Sequence, residues 1–153
     1  MARILIAEDD PLVSSFIEKG LRSGGYTTHV AEDGEQATEL GSSGDFDLLL
    51  LDMALPKREG FEVLQELRRR GCHIPVIVLT GRPEVRELVS SLRVGADDFM
   101  TKPFRFEELL ARVRAQLRFH AANEGRDVDP TGPEEEGSRP AMVLPRETRW
   151  RES

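Results

Sequence analysis

The sequence predicts an α/β fold, a doubly wound parallel sheet with helices on both faces. Short apolar runs alternate with segments whose apolar residues recur at helical spacing, which is typical of βαβ units. The run Leu48–Leu51 holds no polar residue, as expected of a strand buried on both faces. A buried helix segment could read the same way, but Pro56 and Gly60 beyond it favour a strand that leads into a loop. With right-handed crossovers, one domain of this size follows.

Each predicted strand is a short apolar or β-branched run that stops at polar residues or at a turn. The first stops at the acidic series Glu8–Asp10, and the second at the turn residues Asp33–Gly34. The third ends in the carboxylate of Asp52, and the fourth ends in the hydroxyl of Thr80. The predicted strands are Arg3–Ala7, Tyr26–Ala31, Leu48–Asp52, Pro75–Thr80 and Asp98–Thr101.

The helices are predicted from capping residues and from apolar periodicity. Asp10 followed by Pro11 is typical of an N-cap with proline at the first helical position. Glycine follows most of the predicted helices, as is common at helix ends. The predicted helices are Pro11–Ser23, Glu35–Leu40, Gly60–Arg70, Glu84–Val94 and Phe106–Phe119. The residues predicted to form the periodic face of the first helix are Leu12, Phe16, Ile17 and Leu21.

The length, the net charge and the cysteine content of the chain exclude several classes of protein. Its 153 residues fit one domain and a remainder, and its formal charge of −7 argues against a general nucleic-acid binder, which would be basic. The single cysteine, Cys72, excludes an intramolecular disulfide and fits a reducing compartment. The apolar run at the N-terminus is too short for a signal peptide or a membrane span. We therefore expect a cytoplasmic protein with no membrane partner.

The character of the sequence changes after about residue 121. The segment 123–140 is rich in Gly, Pro, Asp and Glu, a composition typical of linkers and disordered segments. The large apolar residues beyond it are too few for a core. We expect a folded domain over residues 1–121, a flexible tail or truncated linker over 122–153, and no folded output domain. The apolar residues of this last segment are Met142, Val143, Leu144 and Trp150.

Polar side chains lie at the carboxyl ends of four predicted strands, where ligands bind in open α/β sheets. Carboxylates brought together there repel one another, and a hard divalent cation such as Mg²⁺ relieves the repulsion. A lysine and a hydroxyl beside them suit the oxygens of a transferring phosphoryl group, with an aspartate as its acceptor. We expect these side chains to converge on one site: Glu8, Asp9, Asp52, Thr80 and Lys102.

Stretches around these residues resemble the response-regulator receiver domain of bacterial two-component signalling. They are ILIAEDDP, LLLLDMALPKREGFEVL, VIVLTG and GADDFMTKPFRFEELLARVRAQLR. They cover about residues 3–119 in order, and the last is most similar to receivers of the winged-helix (OmpR/PhoB) class. The resemblance implies a flavodoxin-like receiver fold, a five-stranded parallel sheet of order 2-1-3-4-5.

The resemblance also implies how a metal ion and the phosphoryl group are bound. Asp52 would be the phospho-acceptor for a sensor histidine kinase, with Mg²⁺ or Mn²⁺ as cofactor. Asp9 would ligate the ion directly and Glu8 through water. Asp52 itself and the backbone carbonyl of Ala54 would complete the protein ligands. The Lys102–Pro103 peptide bond would be cis, which X–Pro bonds tolerate.

A second set of residues is implied in phosphoryl binding and switching. Thr80 and Lys102 would hold phosphoryl oxygens, together with the backbone N–H groups of Ala54 and Gly81. Phe99 lies at the position of the family's switch aromatic. Phosphorylation is then expected to draw Thr80 inward and to let Phe99 move into the space behind it.

The resemblance finally implies phosphorylation-dependent dimerisation through the fourth helix, the fifth strand and the last helix. Leu88 is a departure, because the class usually carries an arginine there, facing the position of Glu108. The alternative is that Glu108 and Arg112 form only an i, i+4 pair on one exposed helix. The positions expected in the interface are Val89, Leu92 and Leu110 for the apolar patch, and Asp98, Glu108 and Arg112 for the charges.

Other functions fit the sequence less well. A haloacid-dehalogenase-like phosphatase needs a second Asp two residues after the nucleophile, and Ala54 stands there, so a general acid is missing. A degenerate receiver acting only as a binding module would lack the acceptor or the acidic pair. We therefore expect no enzymatic turnover beyond Mg²⁺-dependent self-phosphorylation and slow autodephosphorylation. Both a stand-alone receiver and the N-terminal part of a truncated winged-helix transcriptional regulator stay open.

Overall fold

The computed structural model describes residues 2–81 and 95–123, and this part of the chain forms a parallel sheet covered by helices on both faces. The strands are β1 (Arg3–Ala7), β2 (Thr27–Ala31), β3 (Leu48–Asp52), β4 (Val76–Thr80) and β5 (Asp98–Thr101). The described helices are α1 (Pro11–Ser23), α2 (Gly34–Gly41), α3 (Gly60–Arg69) and the C-terminal helix (Phe106–Asn123).

The sheet has the predicted order, β2-β1-β3-β4-β5, and all four pairings are parallel. The predicted fold class is therefore confirmed. The strand bounds agree with the prediction to within one residue, whereas the C-terminal helix continues past Phe119 to Asn123. The predicted helix 84–94 lies outside the described residues, and so does the predicted tail 122–153 apart from residues 122 and 123, which belong to the C-terminal helix.

The central strand β3 lies in the middle of the apolar core, as its four leucines predict. Leu48–Leu51 are fully buried, and because side chains alternate along a strand they serve both faces of the sheet. Leu49 and Leu51 pack in a cluster with α2 and α3, whereas Leu48 and Leu50 pack with α1 and the C-terminal helix. Burying each leucine contributes about 1.5–3 kcal/mol to stability. The buried leucines therefore hold β3 in place, and with it Asp52 at the end of the strand.

The predicted buried face of α1 is wrong for two of its four residues. Ile17 and Leu21 are fully buried, but Leu12 is 81% exposed and Phe16 is 53% exposed. The inner stripe is completed by Ser14, since i, i+3 and i+7 share a face of a helix. Phe16 instead packs at the side of α1, edge-on against the ring of Phe106, with 6.0 Å between the ring centroids.

The ends of α1 follow the predicted capping. The Asp10 carboxylate accepts a hydrogen bond from the Leu12 N–H at 3.0 Å, and Pro11 is the first helical residue. Gly24 caps the other end.

Within residues 2–81 and 95–123, no helix combines the length and the apolar character that crossing a bilayer requires.

Candidate functional site

The carboxyl ends of β1, β3, β4 and β5 meet at one edge of the sheet and place the predicted polar residues there. Ala7 pairs with Leu51 across β1 and β3, so the acidic residues that follow β1 lie next to Asp52. Thr80 ends β4 and pairs with Thr101, the last residue of β5. Lys102 follows directly, and its backbone N–H donates to the Thr80 carbonyl at 2.7 Å. The parallel register alone thus brings residues from four strands together.

Three carboxylates form the centre of this site. One oxygen each of Glu8, Asp9 and Asp52 lies within 4.8 Å of the others. Glu8 is 2% exposed and Asp52 is 5% exposed, whereas Asp9 is open to solvent. Three like charges at this spacing repel one another, and oxygen ligands of this kind suit a hard cation such as Mg²⁺. The residues present therefore fit the divalent ion that the sequence predicts.

Lys102 lies against the buried pair of carboxylates. Its ammonium Nζ donates to Glu8 Oε1 at 3.0 Å and lies 3.5 Å from Asp52 Oδ2. Burial alone would lower the pKa of Lys102, but the hydrogen bond to Glu8 and the charges of Asp52 and Glu8 outweigh it and raise this pKa. The lysine therefore stays cationic and compensates part of the negative charge.

The acceptor candidate Asp52 feels the excess of negative charge. Burial and the neighbouring Glu8 carboxylate raise its pKa to about 6, against the opposing effects of Lys102 and of the Ala54 N–H. That N–H donates to Asp52 Oδ1 at 3.4 Å. The charged form of Asp52 is therefore destabilised. Binding of a cation, or formation of a covalent bond at the carboxylate, would relieve this destabilisation.

The remaining predicted phosphoryl-binding residues lie at the same edge, whereas the predicted switch residue Phe99 lies in the apolar core. Thr80 is buried at the end of β4, and Gly81 after it is exposed, with open space where a Cβ would stand. Ala54 is exposed in the loop after β3. Phe99 is buried in the apolar cluster that includes Leu51. The Lys102–Pro103 peptide bond is cis, as the resemblance implies.

The residues expected at a dimer interface are only partly described. Val89 and Leu92, with Leu88, lie outside the described residues, and Leu110 is half-buried on the C-terminal helix. Asp98 and Arg112 are buried and pair with each other at 2.8 Å.

Arg112 also reaches Glu108 at 2.9 Å, the i, i+4 pair of the alternative interpretation. Arg112 therefore links β5 to the C-terminal helix within one chain. Asp98 and Arg112 were expected to be interface charges at the surface, because no local pattern in the sequence indicates a contact between residues that are 14 positions apart.

Several known proteins are similar to this chain in sequence and in fold. Response regulator MprA of Mycobacterium sp. (strain KMS) is 42% identical over 125 residues, which are 82% of this chain and 54% of MprA. Response regulator protein PmrA of Pseudomonas aeruginosa is 47% identical over 116 residues, 76% of this chain and 52% of PmrA. The chain thus spans about half the length of the curated relatives it matches.

The crystal structure of response regulator TrrA of Thermotoga maritima in complex with Mg²⁺–BeF is 34% identical in sequence and has a TM-score of 0.69. The similarity covers 76% of this chain and 99% of TrrA. Residues 4–114 match the family described as response regulator receiver domain. The resemblance inferred from the sequence is thereby confirmed, and the chain belongs to the receiver domain family of the two-component response regulators.

Proposed function

We propose that this receiver is a phosphorylation switch of the cytoplasm, in which Asp52 accepts a phosphoryl group from a sensor histidine kinase. The observation that carries the proposal is the surrounding of Asp52. Its carboxylate is buried with two further carboxylates within 4.8 Å and with the Lys102 ammonium at 3.5 Å. The combination suits an ion and a phosphoryl group side by side, and TrrA, a solved relative, carries Mg²⁺–BeF.

In the proposed transfer, Asp52 is the nucleophile, and it would hold the metal ion together with neighbouring residues. An Asp52 oxygen attacks the phosphorus, and the P–N bond to the donor imidazole breaks with its electron pair leaving on the nitrogen. Glu8, Asp9, Asp52 and the Ala54 carbonyl would hold Mg²⁺, which supplies positive charge to the phosphoryl oxygens. Mn²⁺ would serve too, because it prefers the same oxygen ligands.

Phosphoryl binding after the transfer falls to donors at the strand ends. Lys102 already points its ammonium at Asp52, and Thr80 with the N–H groups of Ala54 and Gly81 would complete the cradle. Ala54 offers no carboxyl group to protonate a leaving group, so we propose slow autodephosphorylation and no turnover of phosphate esters.

The proposal is tested with phosphoramidate as donor and intact mass as readout. We expect one phosphoryl group per chain in the presence of Mg²⁺, none after chelation with EDTA, and none in Asp52→Asn. A product that is stable in acid or that forms in EDTA would contradict an acyl phosphate at this site.

Thr80→Ala tests the switching step. We expect the variant to accept the phosphoryl group but to transmit it weakly, because the hydroxyl that links the phosphoryl group to the space near Phe99 is missing. The measurement is the set of amide shifts between the resting and the beryllofluoride-bound protein, followed at Phe99. Equal shifts in the variant and the wild type would show that Thr80 takes no part.

Dimerisation is the proposed response of the activated chain. Because Arg112 pairs with both Asp98 and Glu108 within the chain, Leu110 is the expected interface position, among the described residues, on which the contact would mainly rest. Exposed ion pairs contribute only about 0–1 kcal/mol each, so we expect a weak dimer. Light scattering with and without beryllofluoride measures it, and a monomer in both states at high concentration would leave a partner of another kind.

Output through a DNA-binding module joined to the receiver is the second candidate function. It is favoured by the relatives MprA and PmrA, in which the aligned part is only about half of the length. Leu12 and Phe16 are exposed on α1, the helix that follows Glu8 and Asp9 in the chain, and would offer a protein partner such as the kinase an apolar contact. The genes adjoining this one would identify both the kinase and the output.

A further inference from the structure

The loop after Asp52 carries the Ala54 carbonyl proposed as a metal ligand, and both of its ends are attached to the sheet edge. We define residues 53–59 as the acceptor loop. The Met53 N–H donates to the Leu79 carbonyl at 3.1 Å, and the Met53 carbonyl accepts from the Gly60 N–H at 3.0 Å. A Cβ on Gly60 would lie 2.6 Å from the Asp52 carbonyl oxygen, so α3 begins in close contact with the end of β3.

The middle of the acceptor loop is held by α2, which lies on a different crossover. The Gly34 N–H, in the first turn of α2, donates to the Pro56 carbonyl at 3.0 Å. A Cβ built on Gly34 overlaps the carbonyl oxygen of Arg58. The Arg58 guanidinium donates to the buried Thr38 hydroxyl at 3.3 Å. Two backbone segments are thus packed so closely that only glycine fits between them.

One carboxylate joins the cap of α2 to the same loop. Asp33 Oδ1 accepts the Gln36 N–H at 2.8 Å, and Asp33 Oδ2 lies 3.5 Å from Lys57 Nζ. Lys57 has a φ of 68°, the left-handed conformation that a residue other than glycine rarely adopts. A cap and a turn alone would explain the sequence Asp33–Gly34. They would not explain why its backbone and side chain both bind residues 56–58.

We propose that the Asp33–Gly34 turn is a positioning element of the phosphorylation site, which holds the acceptor loop and thereby sets the place of the Ala54 carbonyl. The inference rests on the proposed function, because it assigns to Asp33 and Gly34 an effect on the metal ligand that function requires. Partners that orient ligands from outside the coordination shell change metal affinity by about 10- to 100-fold when they are removed.

The test compares Gly34→Ala with Gly20→Ala. A Cβ on Gly20 overlaps the half-buried ring of Phe106, on the opposite face of the sheet, so both variants introduce a methyl group into occupied space, against the Arg58 backbone in Gly34→Ala and against a side chain in Gly20→Ala. Unfolding in urea and Mg²⁺ binding by calorimetry are measured for both. We expect both variants to lose stability, but only Gly34→Ala to bind Mg²⁺ about tenfold more weakly than the wild type.

Asp33→Asn serves as the second variant, and it covers the case in which Gly34→Ala does not fold. Asparagine keeps the cap of α2 but removes the charge that attracts Lys57, and we expect Mg²⁺ affinity to fall by about two- to fivefold at unchanged stability. Wild-type affinity in Asp33→Asn, or an equal loss in Gly34→Ala and Gly20→Ala, would overturn the inference. A wild-type protein that binds no Mg²⁺ would overturn the proposed function as well, so the two failures are distinguishable.

Discussion

Replacing Asp9 with Asn is expected to lower Mg²⁺ affinity by at least about tenfold, while the metal-free protein stays as stable as the wild type or becomes more stable. Asp9 is the exposed member of the carboxylate cluster, within 4.8 Å of Glu8 and Asp52. The substitution removes one direct ligand and one of three repelling charges. Loss of affinity with a gain of stability is the opposite of what damage to a packed residue produces.

Calorimetric titration with Mg²⁺ and thermal unfolding in EDTA measure the two effects. Asp10→Asn is the matched control, because Asp10 is the next acidic residue, caps α1 and lies outside the cluster. Asparagine caps helices as well as aspartate, so this control should leave both quantities near their wild-type values. Equal Mg²⁺ affinity in Asp9→Asn and the wild type would remove Asp9 from the metal site.

The contribution of Asp52 to the stability of the metal-free protein is expected to fall as the pH rises from about 4 to about 6. Burial and the charge of Glu8 raise the pKa of Asp52 from 3.8 to about 6 in the folded chain. The folded state therefore holds the Asp52 proton more tightly than the unfolded state. Below the unfolded pKa both states are protonated and the full stability is present. It falls as the unfolded state loses its proton first, and the fall ends above the folded pKa.

The size of this effect is on the order of 1–3 kcal/mol, reduced by whatever rearrangement of Lys102 and Glu8 accompanies ionisation. Asp52→Asn removes it, so the variant should be more stable than the wild type at neutral pH and about equal to it below pH 4. Other carboxyls, such as Asp33 with its lowered pKa, act in both proteins alike. Urea unfolding in EDTA across this range measures the difference, and a difference that does not depend on pH would contradict the assignment.

Most of the fold could be predicted from the sequence because local patterns encode its strands and helices. Leu48–Leu51, with Pro56 and Gly60 beyond it, predicts a buried strand, and Asp10–Pro11 predicts the capping of α1. The place of the site followed from strand polarity, since Glu8, Asp52 and Lys102 each stand at a strand end. These predictions needed no knowledge of which residues touch across the molecule.

Contacts between distant segments were beyond the sequence. Leu12 and Phe16 fit an apolar period, but only the angle at which α1 meets the sheet decides that Ser14 takes the inner position. The pairing of Asp98 with Arg112 joins a strand to a helix, and nothing local distinguishes it from two surface charges. The contact of Gly34 with the acceptor loop depends on two crossovers that lie side by side.

Residue-resolved mapping of the phosphoryl group tests whether Asp52 is the acceptor. The chain is incubated with the phosphorylated histidine domain of a sensor kinase and Mg²⁺, then reduced with borohydride, which converts an aspartyl phosphate to homoserine. We expect homoserine at position 52 alone, and none when EDTA is present. Homoserine at position 9, a phosphoryl group on a histidine of this chain, or phosphoryl transfer to Asp52→Asn at the wild-type rate would contradict the assignment of Asp52.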